Sequence, residues 1–283
     1  MAGRSAPTVR RTRVATELRK LREQAGVTAT EAARTLGTSQ GQLSNVESAR
    51  FGVSGARVRA MASAYGCSDT AFIAALVNMA EGRTRGWWEQ YRDILPAALL
   101  DLAEVEHYAT SLRTAITVHI PGLLQTVDHA RELFRQVVPE FSPPEVEHRV
   151  SFRIKRQDVL FRDSPTPYLA IIHEAALRMQ FGGAAVAKGQ LGHLLEMSER
   201  DHVTLKVIPF AAGSFPGSGQ SLFYSTGQVP RLDTVHLDQS HGPAFLDAEA
   251  QLEMYRVLLG KLEALALGPV KSRDLIHNLV HDL

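Results

Sequence analysis

The sequence predicts a multidomain chain, in which an all-α domain of five short helices precedes a larger, mixed α/β domain. Three observations predict it. Residues 13–82 hold five short segments with helical apolar spacing, separated by hydroxyl and glycine residues. Further on, compact or alternating apolar runs such as Tyr168–Ile172 and Val203–Ile208 read as strands set between helical patterns. Charge divides in a similar way: residues 1–66 carry 11 Lys+Arg against 4 Asp+Glu, or +7, whereas residues 67–283 carry 20 against 26, or −6. A basic first part beside an acidic remainder fits one module that meets a polyanion and another with a different task.

Taken in order, residues 1–12 read as a flexible basic arm, with Arg4, Arg10 and Arg11. The first helix follows, with Val14, Leu18, Leu21 and Ala25 on one face and Gly26 as its stop. Thr28 caps the second, and Glu31 stands where a capping box needs it; Ala32, Ala33 and Leu36 follow before Gly37. Ser39 caps the third, with Gln42 at the returning position and Leu43 and Val46 facing inward. The fourth helix follows Ser54 and buries Val58, Met61, Ala62 and Tyr65; the fifth follows Ser68 and carries Phe72, Ile73, Leu76 and Val77. A hinge is expected at Ala80–Trp88, with Trp87, Trp88 and Tyr91 anchoring the unit that follows.

In residues 83–283 the pattern predicts helices over 97–114, 122–138, 143–162, 184–200, 246–267 and 272–282. Strands are expected at 168–172, 203–208, 222–225 and 234–237. The stripe Leu275, Ile276, Leu279, Val280 and Leu283 is expected to pack on its own domain, with a partner surface as the alternative. The loops at 121–126 and 209–217 read as tight turns or as backbone held near a ligand.

Several functions are excluded or unsupported. The chain has 283 residues, 45% of them hydrophobic and 22% charged, which is globular composition. Its longest near-apolar stretch, Ala71–Ala80, is half of what a membrane-spanning helix needs, and no apolar stretch follows the basic amino terminus, so a cytoplasmic protein is expected. Cys67 is the single cysteine and reads as a packed residue. Gly37-Thr-Ser-Gln-Gly41 matches a nucleophile elbow but lies between helices, where the elbow requires a strand. His173-Glu174 begins a zinc motif that Leu177 breaks, and His277 and His281 lack a third ligand. His119, His236 and His241 read as hydrogen-bonded structural residues. No enzyme, cofactor or metal is expected.

A short helix, a glycine turn and a second short helix make a helix-turn-helix, whose second helix can enter the major groove. Here that helix offers Gln40, Gln42, Ser44 and Asn45, and amide side chains suit the adenine edge. The bland reading is a solvated polar face. Leu18-Arg-Lys-Leu-Arg-Glu-Gln-Ala-Gly26 and Gly37-Thr-Ser-Gln-Gly-Gln-Leu-Ser-Asn-Val-Glu47 resemble the lambda-repressor-like, or XRE, family of DNA-binding domains. The resemblance implies a structural ion pair between Arg22 and Glu47, base-facing Gln40, Gln42 and Asn45, and phosphate contacts from Ser44 and the helix amino terminus that Ser39 caps. Ala29 departs from the glutamine that family often places at the start of the second helix. Arg10, Arg11, Arg13 and Arg50 are the expected phosphate attractors.

Gly86-Trp-Trp-Glu-Gln-Tyr-Arg-Asp93, Ile120-Pro-Gly-Leu-Leu-Gln-Thr126, Glu174-Ala-Ala-Leu177 and Val207-Ile-Pro-Phe-Ala-Ala-Gly-Ser-Phe-Pro-Gly217 resemble, in the same order, the carboxy-terminal domain of WhiJ-like actinobacterial regulators. That resemblance implies an antitoxin-like transcriptional regulator that binds double-stranded DNA through residues 13–82. Residues 83–283 would then sense a small BldB-like partner protein or a small-molecule effector. A homodimer is expected, because one such module buries little DNA surface. The alternative is an interaction module that sequesters the BldB-like partner and autoregulates its operon.

Overall fold

The structure is a computed structural model and describes residues 7–82, 86–217, 220–239 and 242–283. It has two compact units: the first runs to Glu89 and takes in Gln228–Arg231, and the second holds 90–227 and 232–283. Arg4, the hinge residues 83–85 and His241 lie outside the described residues.

Five helices build the first unit: α1 (Val9–Gln24), α2 (Ala29–Thr35), α3 (Gln40–Glu47), α4 (Gly55–Ala64) and α5 (Thr70–Glu81). α1 opens earlier than the expected boundary at 13, because the Thr8 side chain accepts from the Arg11 backbone N–H. Residues 9–12 of the expected arm are therefore helical. Asp69, not Ser68, caps α5, accepting from the Phe72 N–H at 2.9 Å. Leu18, Leu43, Val58, Met61, Phe72 and Leu76 form the fully buried centre, whereas Ala25 is exposed and ends α1. Each buried leucine or phenylalanine contributes about 1.5–3 kcal/mol. Trp87 and Trp88 fall in this first unit, their rings 6.0 Å apart and edge to face. Tyr91 alone of the three expected anchors belongs to the second unit, where it meets Phe152 at 5.1 Å.

A 3-10 turn over Trp87–Tyr91 crosses the boundary between the units, and the first helix of the second is α6 (Ala97–Tyr108). Then come β1 (Ser111–Ile116), α7 (Val127–Arg135), α8 (Pro143–Arg156), β2 (Tyr168–His173), α9 (Glu174–Arg178), α10 (Ala184–Ser198) and β3 (Val203–Ile208). β4 (Leu222–Thr226), β5 (Thr234–Leu237), β6 (Ala244–Leu246), α11 (Glu249–Leu265) and α12 (Pro269–Asp282) complete it. One sheet has the order β3-β2-β1-β4-β5-β6, parallel from β3 to β1 and antiparallel beyond.

β1 corrects the expectation of one helix over 97–114. Its backbone pairs on both sides, Leu112 with Tyr168 and with Ser225, so distant partners override local spacing. β6 is likewise a strand ahead of α11, where a helix had been expected to begin at 246.

Strand alternation sorts the core into two layers. Leu112, Ile116, Tyr168, Ile172, Leu205 and Val207 face one cluster, with Leu191 and Leu194 of α10 and Ile276 and Leu279 of α12. Ile171, Leu222, Tyr224, Val235 and Leu237 face the other, against Leu252, Tyr255, Leu259 and Leu262 of α11. The terminal stripe thus packs on its own domain, and Ser272 pins it by accepting from the Val207 N–H at 2.9 Å. A buried bidentate pair, Arg156 to Glu106 at 2.8 and 2.6 Å, ties α8 to α6.

Histidine is where packing departs most from expectation. His236 is 4% exposed, yet among the described residues neither of its ring nitrogens has a hydrogen-bond partner. It stacks between its cross-strand neighbours Phe223 and Phe245, at 4.7 and 5.5 Å. Nδ1 of His119 also lacks a partner, as do both nitrogens of buried His129. The hydrogen-bonded reading is therefore corrected for His236, and for Nδ1 of His119. Burial pushes His236 down to about 3, helped by the nearby Arg156 charge, and pushes His129 down to about 4.

A depressed histidine pKa gives a defined sign. Below the unfolded value near 6.5 only the unfolded chain takes up the proton, so stability falls with acidification until the folded value is reached. Each residue removes about 2 kcal/mol between pH 7 and pH 5. Calorimetry of wild type and His236→Phe at the two pH values should show the variant losing less stability by about that amount. An equal loss in both would refute the assignment.

Candidate nucleic-acid interface

Local chemistry dictates the helix-turn-helix. Thr28 and Glu31 complete a capping box at α2, with Glu31 Oε2 accepting from the Thr28 N–H at 3.0 Å. Gly37 turns the chain at φ 60°, a conformation that costs glycine little. Buried Ala32 and Ala33 carry small side chains, which allow α2 and α3 to approach closely.

α3 is held at both ends and from behind. Ser39 Oγ accepts from the Gln42 N–H at 3.2 Å, while Gln42 Oε1 accepts from the Ser39 N–H and from the Thr38 hydroxyl. Leu43, 2% exposed, plugs α3 into the core. Behind it, the Arg22 guanidinium donates to both carboxylate oxygens of Glu47 at 2.8 Å and to the Val27 carbonyl at 2.9 Å. This is the ion pair expected between α1 and α3. The hydrogen bond to Glu47 raises the Arg22 pKa.

The outward face of α3 follows from these anchors. At roughly 100° per residue, Gln40, Gly41, Ser44, Asn45 and Ser48 fall within an arc of about 140°. Gln40, Gly41, Ser44 and Ser48 are exposed, and Asn45 is half-buried at the edge of that arc. Gln42 is also exposed but lies about 200° around from Gln40. Its carbonyl is already engaged in the cap, so its amide cannot offer the donor and acceptor together that a bidentate adenine contact requires. Gln42 therefore positions the helix, while Gln40 and Asn45 remain suited to bases. Ser48, which the sequence did not single out, shares their face, although its hydroxyl donates to the Ser44 carbonyl at 2.7 Å.

The expected phosphate attractors separate. Arg10 donates to the carbonyls of Asn78 and Met79 at 3.0 and 3.3 Å, closing the end of α5. Arg13 is 3% exposed beside Glu17, at 3.4 Å, and Arg11 is half-buried. Of the four, only Arg50 is exposed, just beyond α3. Elsewhere, the zinc-like His173-Glu174 pair is structural. His173 Nδ1 accepts from the Ala175 N–H, and Glu174 accepts from the Phe210 N–H and from Arg178. Among the described residues no group of three His, Cys, Asp or Glu could hold a metal, and no helix is long and apolar enough to cross a membrane.

Breaking a buried ion pair from one side is costlier than its net contribution, because it strands the remaining charge. Glu47→Ala should destabilise the first unit by about 3 kcal/mol, measured by denaturant unfolding. Replacing Arg22 by Met as well should recover part of that loss. No recovery in the double variant would show that the pair is not the reason.

Comparison with known families agrees with this division. Residues 13–73 match the family described as a helix-turn-helix domain. Residues 99–278 match the family described as "Domain of unknown function (DUF5753)". No curated protein and no solved structure matches the chain. With the second match spanning well over half of its length, and a DNA-binding helix-turn-helix domain ahead of it, the chain belongs to the DUF5753 family.

Proposed function

We propose that this protein is a sequence-specific transcriptional regulator in which α3 reads the major groove and the larger domain senses a small molecule or a partner protein. The observation that carries the reading is the outward face of α3: Gln40 and Asn45 stand on a helix that is capped, plugged and ion-paired into a rigid domain. Arg50, Ser44 and the α3 amino terminus supply phosphate contacts, which position the module without choosing a sequence. Because one such module buries little surface, the DNA-bound form is a homodimer on a near-palindromic site. The segments quoted above support an XRE-type domain joined to a WhiJ-like one, acting in the cytoplasm without catalysis.

A second reading makes the larger domain an antitoxin-like module that sequesters a small BldB-like partner and autoregulates its operon. The net charge of −6 over 67–283 favours a basic partner surface. A stable complex with the product of an adjacent gene would distinguish it.

Selection from random duplex DNA at near-physiological salt should enrich a palindrome. Gln40→Ala and Asn45→Ala should each reduce discrimination at defined positions by about 1–3 kcal/mol. Arg50→Ala should instead weaken all sequences alike and lower the salt slope by about one. Gln42→Ala should cost about 1 kcal/mol of stability through the lost cap, with site choice unchanged. An Asn45→Ala protein that keeps its full preference would overturn the assignment of readers.

A further inference from the structure

The larger domain contains a cavity of about 320 Å³, room for roughly ten water-sized groups. Its walls come from α6, α7, α8 and the turn at 120–125, and Phe223 and His236 of the sheet also line it. Most of the lining is apolar, including Leu99, Leu133, Phe134 and Phe223. Two polar groups stand out against it.

One is Arg153. Its NH1 donates to the Gln125 carbonyl oxygen, and its guanidinium carbon sits 4.9 Å from the Phe134 ring centroid. Gln125 is itself buried and fixed, its amide donating to the Ile120 carbonyl at 2.7 Å. Gly122 leaves space for the arginine, since a Cβ there would lie 3.3 Å from Cδ and NH1 of Arg153. Arg156, three residues on, has its carboxylate in Glu106. Arg153 has none within 4.0 Å among the described residues. Burial and the neighbouring Arg156 push its pKa down to about 9, against the opposing attraction of Asp238 and Glu106, so it is still a cation at neutral pH. Half-buried, held by a neutral amide and a ring face, and with Asp238 and Glu106 acting on it only from beyond ion-pair distance, this cation lacks a carboxylate partner in contact.

The other is His236, 4% exposed and lining the cavity with both ring nitrogens unpartnered. As a neutral imidazole it offers one donor and one acceptor. Among the remaining charged and titratable groups on the lining, Asp238 is solvent-exposed and His119 is half-buried with its pKa lowered by burial.

We propose that this cavity binds a small, largely apolar organic acid, its carboxylate paired with Arg153, His236 supplying a second polar contact, and its body against the apolar wall. The proposal rests on the reading of the larger domain as a sensor and names the chemistry sensed. An arginine fork and a carboxylate match two bonds to two oxygens, which a neutral analogue cannot reproduce. A cationic ligand would meet Arg153 unfavourably.

The test uses the full-length protein with phenylacetate, benzoate and octanoate as probes, against phenylacetamide, benzamide and octanol. Thermal unfolding and titration calorimetry are read on wild type, Arg153→Lys and Arg153→Met. At least one carboxylate should bind saturably and raise Tm, with its neutral counterpart at least 30-fold weaker. Arg153→Met should weaken the carboxylate by a similar factor, and Arg153→Lys by about tenfold. Equal binding of acid and neutral analogue in wild type would overturn the proposal without needing any variant. So would saturable binding that Arg153→Met leaves unchanged, or no binding by any probe. DNA affinity is measured separately with and without the bound carboxylate. Binding that leaves DNA affinity unaltered keeps the ligand site and removes the sensor reading.

Discussion

Backbone pairing along both edges of β1 organises the larger domain. Its parallel partner β2 brings in β3, and its antiparallel partner β4 brings in β5 and β6, so one six-residue strand joins two kinds of sheet. The alternation along it also decides which residues meet α10 and α12 and which meet α11. A one-residue slip would turn Leu112 and Ile116 to the wrong layer together. The cavity depends on the same register, because Phe223 is opposite Thr114 in β1 and opposite His236 in β5.

Helices with strong local signals were legible in the sequence. The capping boxes at Thr28 and Ser39 and the serine cap of α4 fix three starts from neighbouring residues alone. Strands with a continuous apolar run, such as β2, were also legible. β1 was not, since Ser-Leu-Arg-Thr-Ala-Ile reads as a helical continuation until β2 and β4 are placed beside it. The outward polar face of α3 was visible as composition, and the capping-box spacing already set Gln42 apart from Gln40. What the sequence could not show is that the Gln42 carbonyl also takes the Thr38 hydroxyl. Arg10, Arg13 and Arg50 look alike, and only the fold shows that the first closes a helix end and the second is buried.

The cavity was illegible for a different reason. In the sequence Arg153 is one of several cations between 143 and 162, with Arg149, Lys155, Arg156 and Arg162, and its lack of an acid in contact is a fact about space. The turn at Ile120–Thr126 did carry a signal, since its glycine and its amide both prove to serve that arginine. In both units, then, polar side chains bear on function through what holds them. Gln42 caps α3, Glu47 anchors the same helix to α1, and Gln125 steadies a cation without neutralising it.

The position of α12 has a consequence for synthesis. Ile276 and Leu279 complete a core layer begun by β1, so that layer cannot close until residues 269–282 have been made. The helices of the helix-turn-helix unit end at Glu81, almost 200 residues earlier. At about 5–20 residues per second, roughly 10–40 s separate the two events on a translating ribosome. During that interval a nascent chain holds a finished helix-turn-helix unit while the larger domain is still incomplete.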